Sequence, residues 1–159
     1  MIKAGDRIPS MKLMTAGPDG PHEVSTDDVF GGKRVVLFGT PGAFTPTCSA
    51  KHLPGFVQNV DALHAKGVDQ IVCMAVNDVF VMSAWAKHES VGDGMLMLAD
   101  GSGVFTKALG LELDLTARGL GVRSQRFALV ANDGVVERIA VEKPGEFDVS
   151  RAESVLATL

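Results

Sequence analysis

The sequence predicts an α/β fold: a central mixed β-sheet flanked by helices on both faces, entered through an N-terminal hairpin. Three observations carry this. Apolar runs such as Val35–Phe38 and Ile71–Val76 are short and unbroken, as in strands buried on both faces. Segments of helical spacing stand between them, as βαβ units require. Glycine, 18 of 159 residues, falls between the apolar runs, which implies many short elements joined by tight turns.

Taken in order, Lys12–Met14 and His22–Val24 flank Gly17-Pro18-Asp19-Gly20, a strong turn signal that predicts the hairpin. Ser25 or Thr26 can cap a short helix through Phe30, stopped by Gly31-Gly32. Arg34–Gly39 reads as a buried central strand. The loop Thr40–Thr47 follows, then a helix to about Lys66, whose apolar face is Leu53, Phe56, Val57, Val60 and Leu63. Pro54 lies inside that helix, so a kink is expected between Ala50 and Pro54. Gly67 closes the helix, and Ile71–Val76 is a second buried strand. Asn77 or Asp78 caps a helix over Val79–His88. Met95–Ala99 is a strand and Val104–Leu109 a short helix. Asn132-Asp133-Gly134 joins Phe127–Ala131 to Val135–Val141 as a hairpin. Ser150 is expected to cap a terminal helix reaching Leu159.

Composition narrows the functional classes. A chain of 159 residues fits one domain, here read as residues 1–159, and can bury roughly 70% of its unfolded surface. Lys plus Arg number 15 against 19 Asp plus Glu, and no basic cluster exceeds Lys33-Arg34, which argues against nucleic-acid binding. No apolar run approaches the ~18–20 residues of a membrane span. The first residues lack the pattern of a secretory or transit segment, so a cytoplasmic protein is expected. Cys48 and Cys73 are too few for a disulfide framework or a zinc site. In a reducing compartment both are thiols at rest. The four histidines form no metal-binding spacing.

The informative segment is Pro41-Gly42-Ala43-Phe44-Thr45-Pro46-Thr47-Cys48, which leaves a buried strand and enters a helix. Free N–H groups and the dipole of a helix start favour an anion there. An ordinary thiol is only about 3% ionised at neutral pH. A helix start or a nearby guanidinium raises that share, and the thiolate is the nucleophile. Thr45, three residues earlier, can bring its hydroxyl to the same side, to accept from an incoming OH or donate to the sulfur. Pro41 and Phe44 can shield the sulfur from bulk water. A plain alternative is that Cys48 is only a small buried apolar residue. Another is a Cys–His hydrolase with His52 as base, since His52 lies four residues on. A non-catalytic redox sensor or interaction module is a further alternative.

Pro41, Thr45 and Cys48 resemble the peroxiredoxin signature Pro-x-x-x-Thr-x-x-Cys. PGAFTPTCS and HLPGF (His52–Phe56) are similar to the peroxiredoxin-five group, which includes the plant type II proteins. VND (Val76–Asp78), Trp85, LMLAD (Leu96–Asp100) and GVRSQRFALV (Gly121–Val130) extend the likeness over nearly the whole chain. The resemblance implies a thioredoxin-like fold and a cofactor-free thiol peroxidase acting on hydrogen peroxide and alkyl hydroperoxides. It implies Cys48 as the peroxidatic cysteine, Thr45 as the residue that positions peroxide, Pro41 as the cover and Arg126 as the arginine that holds thiolate and peroxide. Backbone N–H groups at Thr47 and Cys48 would help bind the substrate, with Phe44 at the approach. Arg123 is a candidate additional charge. Some relatives carry a C-terminal resolving cysteine; Val149 and Ser150 stand in that region here, which excludes that disulfide. Plant type II members carry a cysteine at the spacing of Cys73, so a resolving Cys73 stays open beside an inert one. The implied partners are a glutaredoxin/glutathione or thioredoxin reductant and a second copy of the chain, with Phe44 and Trp85 near that homodimer contact.

Overall fold

The protein, as a computed structural model, is described over residues 1–17 and 19–159. Pro18, in the predicted hairpin turn, lies outside the described residues. On either side of it, β1 (Lys12–Gly17) and β2 (Gly20–Ser25) pair antiparallel. Helix α1 (Thr26–Phe30) is capped by the Ser25 side chain, which accepts from the Asp28 N–H. Strands β3 (Arg34–Thr40), β4 (Gln70–Ala75) and β5 (Leu96–Ala99) run parallel to one another in the centre of the sheet. The hairpin β8 (Phe127–Asn132) and β9 (Val135–Val141) adds two antiparallel strands. The seven strands lie in the order β2-β1-β5-β4-β3-β8-β9.

Alternation along β3 and β4 divides the core in two. Val36, Phe38, Cys73 and Ala75 face one layer, built on α2 (Leu53–Gln58), α3 (Val60–Ala65), α4 (Val79–His88) and α6 (Ala152–Leu156). Val35, Leu37, Val72 and Met74 face the other, against α1 and α5 (Val104–Leu109). Helices therefore cover both faces, as expected, and Asp78 caps α4 by accepting from the Val81 N–H.

Four local expectations are corrected. The kink before Pro54 is a π-helical turn over Cys48–His52, in which the Leu53 N–H reaches the Cys48 carbonyl. Proline clashes with the carbonyl four residues before it, and widening the preceding turn by one residue relieves that clash. The helix also breaks at Asn59, whose backbone (φ −108°, ψ 13°) leaves the helical region and separates α2 from α3. A two-stranded ladder, β6 (Glu112–Leu115) and β7 (Gly121–Ser124), stands apart from the main sheet and was not anticipated. Ser150 does not cap α6. Its hydroxyl donates to the buried Glu142 carboxylate, and the helix starts after Arg151 without a side-chain cap.

Register places the site. Gly39 of β3 faces Phe127 of β8, so Arg126, one residue before β8, stands beside the loop that leaves β3 toward Cys48. A side chain at Gly39 would meet the Phe127 ring at 2.1 Å, which keeps that position bare.

Candidate active site

Cys48 opens the π-turn and is fully buried. In an unbroken α-helix Leu53 would sit about 140° round from it, at ~100° per residue. The wider turn lets Cys48, His52, Leu53 and Phe56 share the core face, and all four are buried. Thr47 and Cys48 lie in the first turn of this helical stretch, where backbone N–H groups have no carbonyl of their own helix to bond.

The sulfur has a charged partner: Arg126 Nη2 donates to Cys48 Sγ at 3.1 Å. The same guanidinium points Nη1 at His52 Nδ1, 2.9 Å away. His52 Nε2 lies 3.0 Å from the Ser150 carbonyl oxygen. A carbonyl only accepts, so the proton is on Nε2 and Nδ1 accepts from Arg126. Burial, and then the positive charge of Arg126, pushes the His52 pKa down from 6.5 to about 3. His52 is thus a neutral imidazole with both nitrogens engaged. It orients Arg126 and has no free nitrogen to serve as base to Cys48, which removes the hydrolase alternative. The Phe147 ring stands edge-on to His52 at 5.3 Å, with the Arg126 guanidinium over it at 5.8 Å.

The loop before Cys48 is held from outside. Asn77 Oδ1 accepts from the Ala43 N–H at 2.8 Å. Arg123 donates from Nη1 to the Pro41 carbonyl at 3.4 Å and from Nε to the Leu120 carbonyl at 2.8 Å. Arg123 thereby ties the loop to β7, a role the sequence reading left open. A Cβ on Gly42 would lie 2.8 Å from the Arg123 guanidinium, so any larger residue there would shift the Arg123 side chain. Thr45 Oγ1 donates to the Gly42 carbonyl at 2.6 Å. Its proton is therefore committed to the loop rather than to the sulfur, and its lone pairs remain for an incoming OH.

A cleft of about 650 Å³ opens at this point. Pro41, Thr45, Thr47 and Arg126 form one side, Leu113, Leu115 and Leu120 another, and 143–146 a rim. Phe44 does not line it. Its backbone takes a positive φ of 64° and turns the ring outward, 5.7 Å from His88 and 6.5 Å from Trp85. The expected place of Phe44 at the substrate approach is corrected accordingly. Trp85 is fully buried behind Phe44, donating from Nε1 to Ser49 Oγ at 2.9 Å.

Cys73 lies in β4, paired on both sides by β3 and β5. Burial, with Cys48 nearby as a lesser cause, raises its pKa well above the ordinary thiol value. Both cysteines are free thiols. Among the described residues no group of three or more His, Cys, Asp or Glu side chains could hold a metal ion. None of the described helices is long and apolar enough to cross a membrane.

Comparison with known proteins finds relatives along the whole chain. The Redoxin family matches residues 3–156. The chain is 50% identical to Peroxiredoxin-2C of Oryza sativa subsp. japonica, covering 99% of this chain and 98% of that one. It is 48% identical to Peroxiredoxin-2B of Arabidopsis thaliana, with 99% and 98% covered. The crystal structure of reduced Prx3 in complex with hydrogen peroxide from Vibrio vulnificus superposes with a TM-score of 0.95 at 48% identity, covering 99% of each chain.

Proposed function

The chain belongs to the redoxin family as a peroxiredoxin, a thiol-dependent peroxidase of thioredoxin-like fold, and from that premise we propose that Cys48 is the residue that attacks peroxide. The observation that carries this is the Arg126 guanidinium on Cys48 Sγ at 3.1 Å, at the foot of the cleft. A donor and a positive charge there hold the attacking sulfur in place. The thiolate attacks one peroxide oxygen in line, the S–O bond forms and the O–O bond breaks. The leaving alkoxide or hydroxide takes up a proton and departs as alcohol or water. Arg126 and the N–H groups of Thr47 and Cys48 stabilise the charge that develops. Thr45 accepts from the peroxide OH and aligns it, and Pro41 covers the site. The product is a Cys48 sulfenic acid.

Two thiols of an external reductant complete the cycle. The first forms a mixed disulfide with Cys48 and releases water; the second releases the Cys48 thiol and leaves the reductant oxidised. Cys73 is inert in this reading, because it is protonated and locked between two strands. Glutaredoxin with glutathione leads as reductant, with thioredoxin next. The apolar wall of Leu113, Leu115 and Leu120 supports use of alkyl hydroperoxides beside hydrogen peroxide. We read residues 1–159 as one functional unit, acting as a homodimer in a reducing compartment such as the cytoplasm.

Intact mass after one equivalent of hydrogen peroxide tests the assignment. Wild type and Cys73→Ser should each gain one oxygen, and Cys48→Ser should not react. Loss of two hydrogens by wild type, with oxygen gain in Cys73→Ser, would instead make Cys73 resolving and favour thioredoxin. Equal reaction of Cys48→Ser would end the reading.

A further inference from the structure

Glu142 follows β9, and its carboxylate is buried yet saturated with donors. Oε2 accepts from the Asp148 N–H at 2.6 Å, the Ser150 N–H at 3.0 Å and the Ser150 hydroxyl at 2.7 Å. Oε1 accepts from the Val149 N–H at 3.2 Å. These bonds pin the backbone from Asp148 to Ser150. With its N–H on Glu142, the Ser150 carbonyl is left facing His52 Nε2 at 3.0 Å. His52 Nδ1 in turn receives Arg126 Nη1, and Arg126 Nη2 rests on the sulfur. The line also closes on itself, because the Glu142 N–H donates to the Arg126 carbonyl at 2.9 Å. One residue thus fixes the backbone of Arg126 directly and its guanidinium through Ser150 and His52.

We propose that Glu142 is a positioning residue for the peroxide reaction, holding Arg126 on Cys48 through a closed ring of hydrogen bonds that runs by way of Ser150 and His52. The proposal rests on the reading of Cys48 and Arg126 as the reacting pair. The direction of each bond gives it force. Ser150 offers only a carbonyl to Nε2, which obliges His52 to carry its proton there and to present Nδ1 as an acceptor. If the 148–150 segment drifts, His52 loses the partner that sets its tautomer, and Arg126 loses the acceptor that aims Nη2. A buried polar ring of this kind is specific only while every member is satisfied.

Glu142→Gln is the test, because the amide nitrogen would face donors where the carboxylate accepted. The second-order rate with hydrogen peroxide should fall roughly 10–100-fold, the scale of a misplaced reacting group. The ultraviolet absorbance of the Cys48 thiolate at neutral pH should fall with it. A role in folding alone would lower the melting temperature without separating these readouts by background, so the change is repeated in Arg126→Lys. There Glu142→Gln should cost nothing further in rate, since the group it aims is gone. Should Glu142→Gln fail to fold, Ser150→Ala removes a single bond of the ring and should cost roughly 3-fold, again only in the presence of Arg126. A wild-type rate in Glu142→Gln, or an additive loss on Arg126→Lys, overturns the proposal. Wild-type reactivity of Cys48→Ser or Arg126→Lys would instead show that the reacting pair was misassigned.

Discussion

At the residue scale, His52 shows how a side chain acquires its role from partners the sequence does not display. Its spacing from Cys48 is visible along the chain and suggests a base. Its function is decided by Ser150 and Arg126, 98 and 74 residues away, which no local pattern reports. The buried neutral imidazole has a measurable consequence. Its pKa is about 3 in the folded protein against 6.5 ordinarily, so between those values the unfolded chain binds a proton that the folded chain refuses. Stability is therefore complete above pH 6.5 and declines as pH falls toward 3, by up to about 1.4 kcal/mol per unit. Glu142, also lowered but from 4.5, adds to the decline only below that value. Burial pushes its carboxyl up, and the hydrogen bonds from Ser150, Asp148 and Val149 together outweigh that. Between pH 6.5 and 4.5 the slope attributable to this ring is thus His52's own. Thermal melts of His52→Gln beside the parent at each pH should show a shallower acid decline in the variant. Parallel curves would mean that His52 is protonated in the folded state.

At the element scale, strong periodicity made most of the fold legible and weak periodicity hid the rest. The buried strands and α4 announce themselves through apolar runs and a capping aspartate. The β6–β7 ladder does not: its strands are four residues each and only Ser124 among them is buried, so the polar–apolar alternation of Glu112–Leu115 is too short and too shallowly buried to mark a strand. Ser150 looks like a helix cap because serine before an apolar run usually is one, but a buried carboxylate claims its hydroxyl first. The string around Cys48 was legible as a site, whereas the outward turn of Phe44 was not, because a positive φ is rare outside glycine. Pro54 was legible as a disturbance, and the π-turn is the form it takes. That form matters, since it rotates Cys48 onto the face where Arg126 waits. Pro54→Ala supplies an N–H and removes the ring clash, which frees the turn to relax toward α-helical register. The peroxide rate should then drop about 10-fold or more as the sulfur swings from Arg126, with no loss of thermal stability. A crystal structure of the variant that keeps the Leu53 N–H on the Cys48 carbonyl, with an unchanged rate, would show that Pro54 does not cause the π-turn.

At the scale of the whole molecule, the two core layers leave an aromatic pair on the surface beside the site. Phe80 on α4 is 70% exposed and Phe44 is 48% exposed, while the other large side chains of α4, Val79, Met82 and Trp85, are buried. Ala84, Lys87 and His88 share the exposed side of α4 with Phe80, and Phe44 leans on His88. This is the face on which the proposed homodimer should form. A two-fold contact uses each residue twice, and burying one phenylalanine contributes about 1.5–3 kcal/mol. Phe80→Asp should therefore remove roughly 3–6 kcal/mol from the association, enough to leave a monomer at micromolar concentration in sedimentation equilibrium. The site should register the loss as well. Phe44 sits between Ala43, held by Asn77, and Thr45, which lines the cleft. Covering Phe44 with a partner steadies the loop that carries Pro41 and Thr45. The monomeric variant should consequently react more slowly with peroxide while Cys48, Arg126 and His52 keep their own bonds. A dimer that survives Phe80→Asp moves the contact to another face, and a monomer with an undiminished rate shows that the loop needs no partner to hold its shape.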